Sequence, residues 1–123
     1  MVIRKNTYLQ LMNFIPLENE EQLIEIKNAK GYAAIFKHNT TCPISKMTRR
    51  NFEADAEVLP EEVEVYMLDI LENRSVSDEI AELFQVPHES PQLLVIKDGQ
   101  CIYNRSLYAI SATETANAIN DNM

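Results

Sequence analysis

Histidine, cysteine and glycine are scarce in this chain, with two of each among 123 residues. The shortage of histidine and cysteine, none of them at close ligand spacing, argues against a metal site. Gly31 and Gly99 both fall between apolar segments, where turn residues belong. Basic residues are also few, 11 against 19 acidic ones, and the formal net charge is −8. A surface of that sign repels phosphates and argues against a nucleic-acid partner. No stretch approaches 18 uninterrupted apolar residues, so no membrane-spanning helix is expected. Met1 to Asn6 carry two basic residues, but no long apolar region follows them. A secretory signal is therefore not expected, and the protein is placed in the cytoplasm. In that reducing compartment, a chain with a sound core has little use for a structural Cys42–Cys101 disulfide.

The core material is there. Hydrophobic residues make up 46% of the chain. The length suits one compact domain over residues 1–123, with 1–15 an N-terminal extension or part of a first strand. Repeats and low-complexity tracts are absent.

A short first strand is expected over 11–17, ending near Pro16. Asn19 with Gln22 forms a capping box for a helix to about Lys30, with Leu23, Ile26 and Ala29 inward. The run at 32–37 suits a strand buried on both faces. A helix follows from Pro43 to about Glu57, with Lys46, Arg49, Arg50, Glu53 and Glu57 on one side. Ile44, Met47 and Phe52 fall broadly on its other side. Residues 63–71 read as another buried strand. Ser75 and Asp78 offer a second capping box, and Val76, Ile80, Leu83 and Phe84 keep helical spacing behind it. Leu93–Ile96 and Cys101–Ser106 form a hairpin around Asp98-Gly99, and Ser111 with Glu114 caps a last helix. The order is β-α-β-α-β-α-β-β-α. It specifies an α/β chain with a mixed central sheet: a parallel N-terminal βαβ unit, then a C-terminal β-hairpin plus helix. That is the order of the thioredoxin fold.

Cys42-Pro43-Ile44-Ser45 stands where the second strand gives way to a helix. This is a common seat for thiol–disulfide chemistry. With Cys42 as N-cap, Pro43 is the first helical residue, where its missing N–H costs nothing. The free amides of Ile44 and Ser45 can then face the sulfur, and the positive helix end favours its anion. The Ser45 hydroxyl is a further candidate donor to the sulfur. Cys42, Pro43 and Ser45 are thus the candidate catalytic residues. Ser45 also means that no second thiol sits on the same turn. Cys101 begins a strand at the far end of the sheet, roughly 15–20 Å away at about 3.3 Å per residue. A disulfide needs Cα atoms within about 7 Å, so Cys101 reads as a small strand residue.

The Ser90-Pro91 loop precedes the strand beside the nucleophile, and a cis bond there would present backbone groups to an incoming adduct. His88, three residues earlier, is a candidate neighbour of the thiol. Thr41, Ile44, Ser90, Pro91 and His88 are therefore the candidate substrate contacts. Lys46, Arg49 and Arg50 could lend charge to an anionic thiol substrate or simply form a solvated helix face. His38 reads as a loop or strand-end residue.

Two segments carry a family resemblance. Phe36-Lys37-His38-Asn39-Thr40-Thr41-Cys42-Pro43-Ile44-Ser45 and His88-Glu89-Ser90-Pro91-Gln92, in that order and spacing, resemble the monothiol bacilliredoxins over roughly residues 18–120. The resemblance implies a thioredoxin fold, a cis proline at Pro91 and a single nucleophile at Cys42. It implies bacillithiol, or another low-molecular-weight thiol, as co-substrate, with no tightly bound cofactor. The implied partners are S-thiolated cytosolic proteins, from which Cys42 would remove bacillithiol. Two other functions fit the residues. One is a non-catalytic thioredoxin-like module for protein binding or redox sensing. The other is a hydrolase using Cys42, His88 and Glu89, which requires the thiol and imidazole within hydrogen-bond reach.

Overall fold

The computed structural model describes residues 14–123. The apolar run becomes β2 (Tyr32–His38), the middle strand of a five-stranded sheet. On one side it pairs in parallel with β3 (Glu64–Asp69), and β3 pairs in parallel with β1 (Ile15–Pro16). On the other side it pairs antiparallel with β4 (Gln92–Lys97), which returns as β5 (Gln100–Ser106). The sheet order is β1-β3-β2-β4-β5, so the expected mixed sheet and thioredoxin topology are present.

Alternation along β2 and β4 divides the core in two. Ile35, Leu68, Leu94 and Ile96 face α1 (Glu20–Asn28) and α3 (Arg74–Phe84), meeting Leu23, Ile26, Val76, Ile80 and Phe84. Ala34, Phe36, Val65, Leu93 and Val95 face α2 (Pro43–Ala54) and α4 (Ala112–Asp121), meeting Phe52, Ala116 and Ile119. Phe36 meets Phe52 edge-on, with centroids 5.4 Å apart.

The first and last helices start as their sequences indicate. Asn19 and Gln22 close a reciprocal capping box, and the Ser111 hydroxyl accepts the Glu114 N–H. Other expectations fail locally. The first strand is only the pair Ile15–Pro16, and 11–13 lie outside the described residues. Helix α1 stops at Asn28 and leaves Ala29 exposed. Helix α2 stops at Ala54 and passes into a 3-10 turn at Ala56–Val58. Its inward residues are Ser45, Thr48 and Phe52, whereas Met47 is exposed. Ser75 is not the cap of α3, which begins one residue earlier behind Asn73. There Asp69 controls the turn: its side chain accepts the Leu71 N–H at 2.9 Å, and its carbonyl accepts the Asn73 N–H at 2.9 Å. Asp78 approaches Arg74 instead, at 3.5 Å.

The hairpin turn has positive φ at both Asp98 (49°) and Gly99 (82°), the geometry that suits a twisted two-residue loop. A Cβ at Gly99 would collide with the backbone carbonyl of Lys27, whose own amine donates to Gly99 O at 2.8 Å. Gly99→Ala is therefore expected to destabilise the protein by about 1–3 kcal/mol. Urea unfolding checks this, and an unchanged midpoint would contradict it.

Candidate thiol site

Cys42 is the N-cap of α2, with extended backbone (φ −95°, ψ 121°) and Pro43 behind it. Its thiol is free and partly exposed. The turn is closed through the main chain: the Cys42 N–H donates to Asn39 O at 3.1 Å, and Cys42 O accepts the Lys46 N–H at 3.0 Å. The Asn39 carboxamide oxygen takes the Thr41 N–H at 2.9 Å and the Thr41 hydroxyl at 2.8 Å. Contrary to expectation, the sulfur accepts no capping hydrogen bond. A thiol is a weak acceptor, and the hydroxyl expected to serve it is drawn elsewhere.

That hydroxyl is Ser45 Oγ, which is fully buried. It accepts the Asn39 N–H at 2.9 Å and lies 2.7 Å from His38 Nδ1. His38 is buried at the end of β2 rather than set in a loop. Burial lowers its pKa from the ordinary histidine value, Arg49 and Lys46 lower it further, and Asp69 opposes them. Arg49 is paired with Glu53 at 2.8 Å and stacks over Phe14, so much of its charge is already engaged. Lys46 and Arg50 remain exposed on the helix face.

The Ser90–Pro91 peptide is cis. Lys37 pairs with Gln92, so the antiparallel register puts the buried Pro91 across from His38. Pro91 O accepts the Leu107 N–H at 3.0 Å. The 3-10 turn Leu107–Ala109 in turn packs on α2. Leu107 and Tyr108 are exposed on this turn. Thr41 and Pro43 are exposed as well, and Ile44 and Ser90 are partly so.

His88 is engaged away from this turn. Its Nδ1 lies 3.2 Å from the Lys37 amine and 3.4 Å from the Ser77 hydroxyl. Lys37 is completely buried in the central strand, and its amine also donates to Ser77 O at 3.2 Å. Burial lowers the Lys37 pKa from 10.5 to about 8, with Asp78 pulling the other way. Burial also lowers the His88 pKa, helped by Lys37 and Arg74 and opposed by Asp78 and Glu89. Strand alternation sends Lys37 to the α3 side of the sheet and His38 to the α2 side. This arrangement gives no support to a Cys42–His88 hydrolytic pair. Sequence reading gave Lys37 no role, although a lysine closing an apolar strand was a visible signal.

Cys101 pairs with Ile96, which pairs with Ala33, at the other end of β2 from Cys42. Its thiol lies 3.4 Å from Tyr103 O, and burial raises its pKa. No helix among the described residues is long and apolar enough to cross a membrane.

A partly exposed free cysteine caps the helix after the central strand of a thioredoxin fold, and a cis proline precedes the neighbouring strand β4. Solved structures share that fold. A proposed oxidoreductase with a thioredoxin fold is 30% identical, with TM-score 0.74, over 85% of this chain and 91% of the other. A thioredoxin of Malassezia sympodialis is 19% identical, with TM-score 0.68, over 89% and 90%. A chain from a structural study of thiol resolution in yeast mitochondrial 1-Cys peroxiredoxin is 24% identical, with TM-score 0.67, over 88% and 94%. The protein therefore belongs to the thioredoxin-like class and has a thiol redox role. More narrowly, the chain belongs to the monothiol bacilliredoxins, the BrxC family, whose sequence model matches residues 15–115.

Proposed function

We propose that this protein is a monothiol thiol–disulfide oxidoreductase that removes bacillithiol from protein mixed disulfides through Cys42. One observation carries the reading: a lone, accessible thiol caps α2, while the position three residues on is a buried serine. The Cys42 thiolate attacks the bacillithiol sulfur of the mixed disulfide. A new S–S bond forms on Cys42 as the old one breaks, and the protein substrate leaves as a thiolate that takes up a proton. A second bacillithiol thiolate then attacks the bacillithiol sulfur of that adduct; bacillithiol disulfide forms as the Cys42 thiolate is released, and a separate reductase recycles the disulfide. The Cys42 sulfur stands at the N-terminal end of α2 in both steps. Cys42, Pro43 and Ser45 form the reacting turn and Thr41, Ile44, Ser90 and Pro91 are the proposed substrate surroundings, whereas His88, expected among them, is engaged with Lys37 and Ser77.

Incubation with a bacillithiolated protein, quenched with acid and read by mass spectrometry, is expected to show the bacillithiol adduct on Cys42 and the freed substrate thiol. An unmodified Cys42 beside an untouched substrate would overturn the reading.

A further inference from the structure

His38, Ser45 and Asn39 form a polar cluster inside the junction of β2 and α2. His38 and Ser45 are buried, at 3% and 0% exposure, and neither belongs to the exposed surface that would meet a substrate. Their bonds converge on the nucleophile's turn. The Asn39 N–H is fixed on Ser45 Oγ, and its carbonyl holds the Cys42 N–H. Its side chain holds Thr41. Ser45 lies on the first turn of α2 and His38 on the last residue of β2, so the hydroxyl joins the strand end to the helix start.

We propose that His38 is a positioning residue for Cys42. It acts through the Ser45 hydroxyl and Asn39, and the reactivity of the thiol depends on this relay.

The bonding pattern specifies a tautomer. Ser45 Oγ already accepts from Asn39, so donating its own proton to His38 satisfies both groups, with Nδ1 unprotonated and the ring proton on Nε2. Burial and the cations Lys46 and Arg49 on α2 keep the ring neutral, against Asp69 on β3. Protonation would place a second donor on the bond and turn the hydroxyl proton away. Oγ would then have to accept from both Nδ1–H and the Asn39 N–H, and its own proton would lose its acceptor, which loosens the anchor of Asn39 and of the Cys42 amide. The inference rests on Cys42 being the reacting thiol, but its test does not need bacillithiol.

The probe is alkylation of Cys42 by iodoacetamide, in a Cys101→Ser background, followed over pH 5–9. His38→Leu removes the Nδ1 acceptor and is expected to slow alkylation about tenfold, the kinetic equivalent of part of one buried hydrogen bond. His38→Asn places an amide oxygen where Nδ1 lay, and is expected to restore most of the rate without the histidine-linked part of the pH profile. In the otherwise unaltered protein, nitrogen-15 NMR of His38 should show Nε2–H and a bare Nδ1. Equal rates and superimposable pH profiles for all three proteins would overturn the proposal, as would a protonated Nδ1 at pH 7. If Leu slows alkylation but debacillithiolation is absent from every variant, the positioning role stands and the proposed activity falls.

Discussion

Cys42→Ser is expected to abolish thiol–disulfide exchange, a loss on the order of a thousandfold or more against the parent protein. Serine keeps the N-cap and the volume of the turn, but its hydroxyl cannot form the S–S bond on which both proposed steps depend. The fold should hardly notice, because the sulfur accepts no hydrogen bond in the cap and the turn is held by Asn39 O and the Lys46 N–H. Circular dichroism should therefore match the parent while the exchange rate falls to background. Cys101→Ser is the matching control. Its thiol is half-buried at the other end of β2, so exchange should continue at nearly the parental rate. Exchange that survived in Cys42→Ser and vanished in Cys101→Ser would reverse the assignment of the nucleophile.

Lys37→Met is expected to stabilise the protein at pH 7 by about 2 kcal/mol. The folded amine titrates near 8 and the unfolded one near 10.5. Below 8 both states carry the proton, and the folded state bears the full penalty of a buried charge. Between 8 and 10.5 the unfolded chain holds a proton that the folded one has released, so stability rises with pH. The shift sets a ceiling of about 3 kcal/mol, and loss of the bonds to Ser77 O and His88 takes back about 1 kcal/mol. Methionine matches the unbranched stem and leaves no charge to desolvate. Urea midpoints at pH 7 and pH 10 check the sign: the gain of the variant should shrink as the parent climbs. A variant less stable at pH 7, with the same pH slope as the parent, would show that Lys37 contributes net stabilisation through its bonds.

Much of the architecture was legible because it obeys simple periods. Tyr32–Phe36 is apolar at every position and becomes the strand covered on both faces, while Val76, Ile80 and Phe84 repeat at helical spacing and all face the core. Asn19 and Ser111 announce their helices through local bonds that span only three residues. Asp98-Gly99 marks its turn because both residues take positive φ. What sequence reading missed depends on contacts between distant segments. The true start of α3 is set by Asp69, back at the end of β3, and not by Ser75. Met47 follows the helical period yet points outward, because Ser45 and Thr48 take the buried stripe.

The candidate site divides in the same way. The position of Cys42 at a strand–helix junction could be read from local sequence. The partner of Ser45 could not: His38 reads as a loop or strand-end residue and does end β2, but its bond to Ser45 depends on the fold bringing β2 and α2 together. His88 looked like a neighbour of the thiol because of its place in the Pro91 loop, but it answers to Lys37, whose burial no local pattern foretold.

The distance between Cys42 and Cys101 has a kinetic meaning. Where two thiols share one turn, the second strikes the first adduct at an effective concentration far above that of any free reagent. Here the length of the central strand keeps them apart. Any disulfide formed on Cys42 therefore waits for a collision from solution, and its lifetime scales inversely with the surrounding concentration of reduced thiol. The fraction of protein caught in the adducted form then tracks how depleted that reservoir has become, so the molecule is a gauge of the pool it draws on.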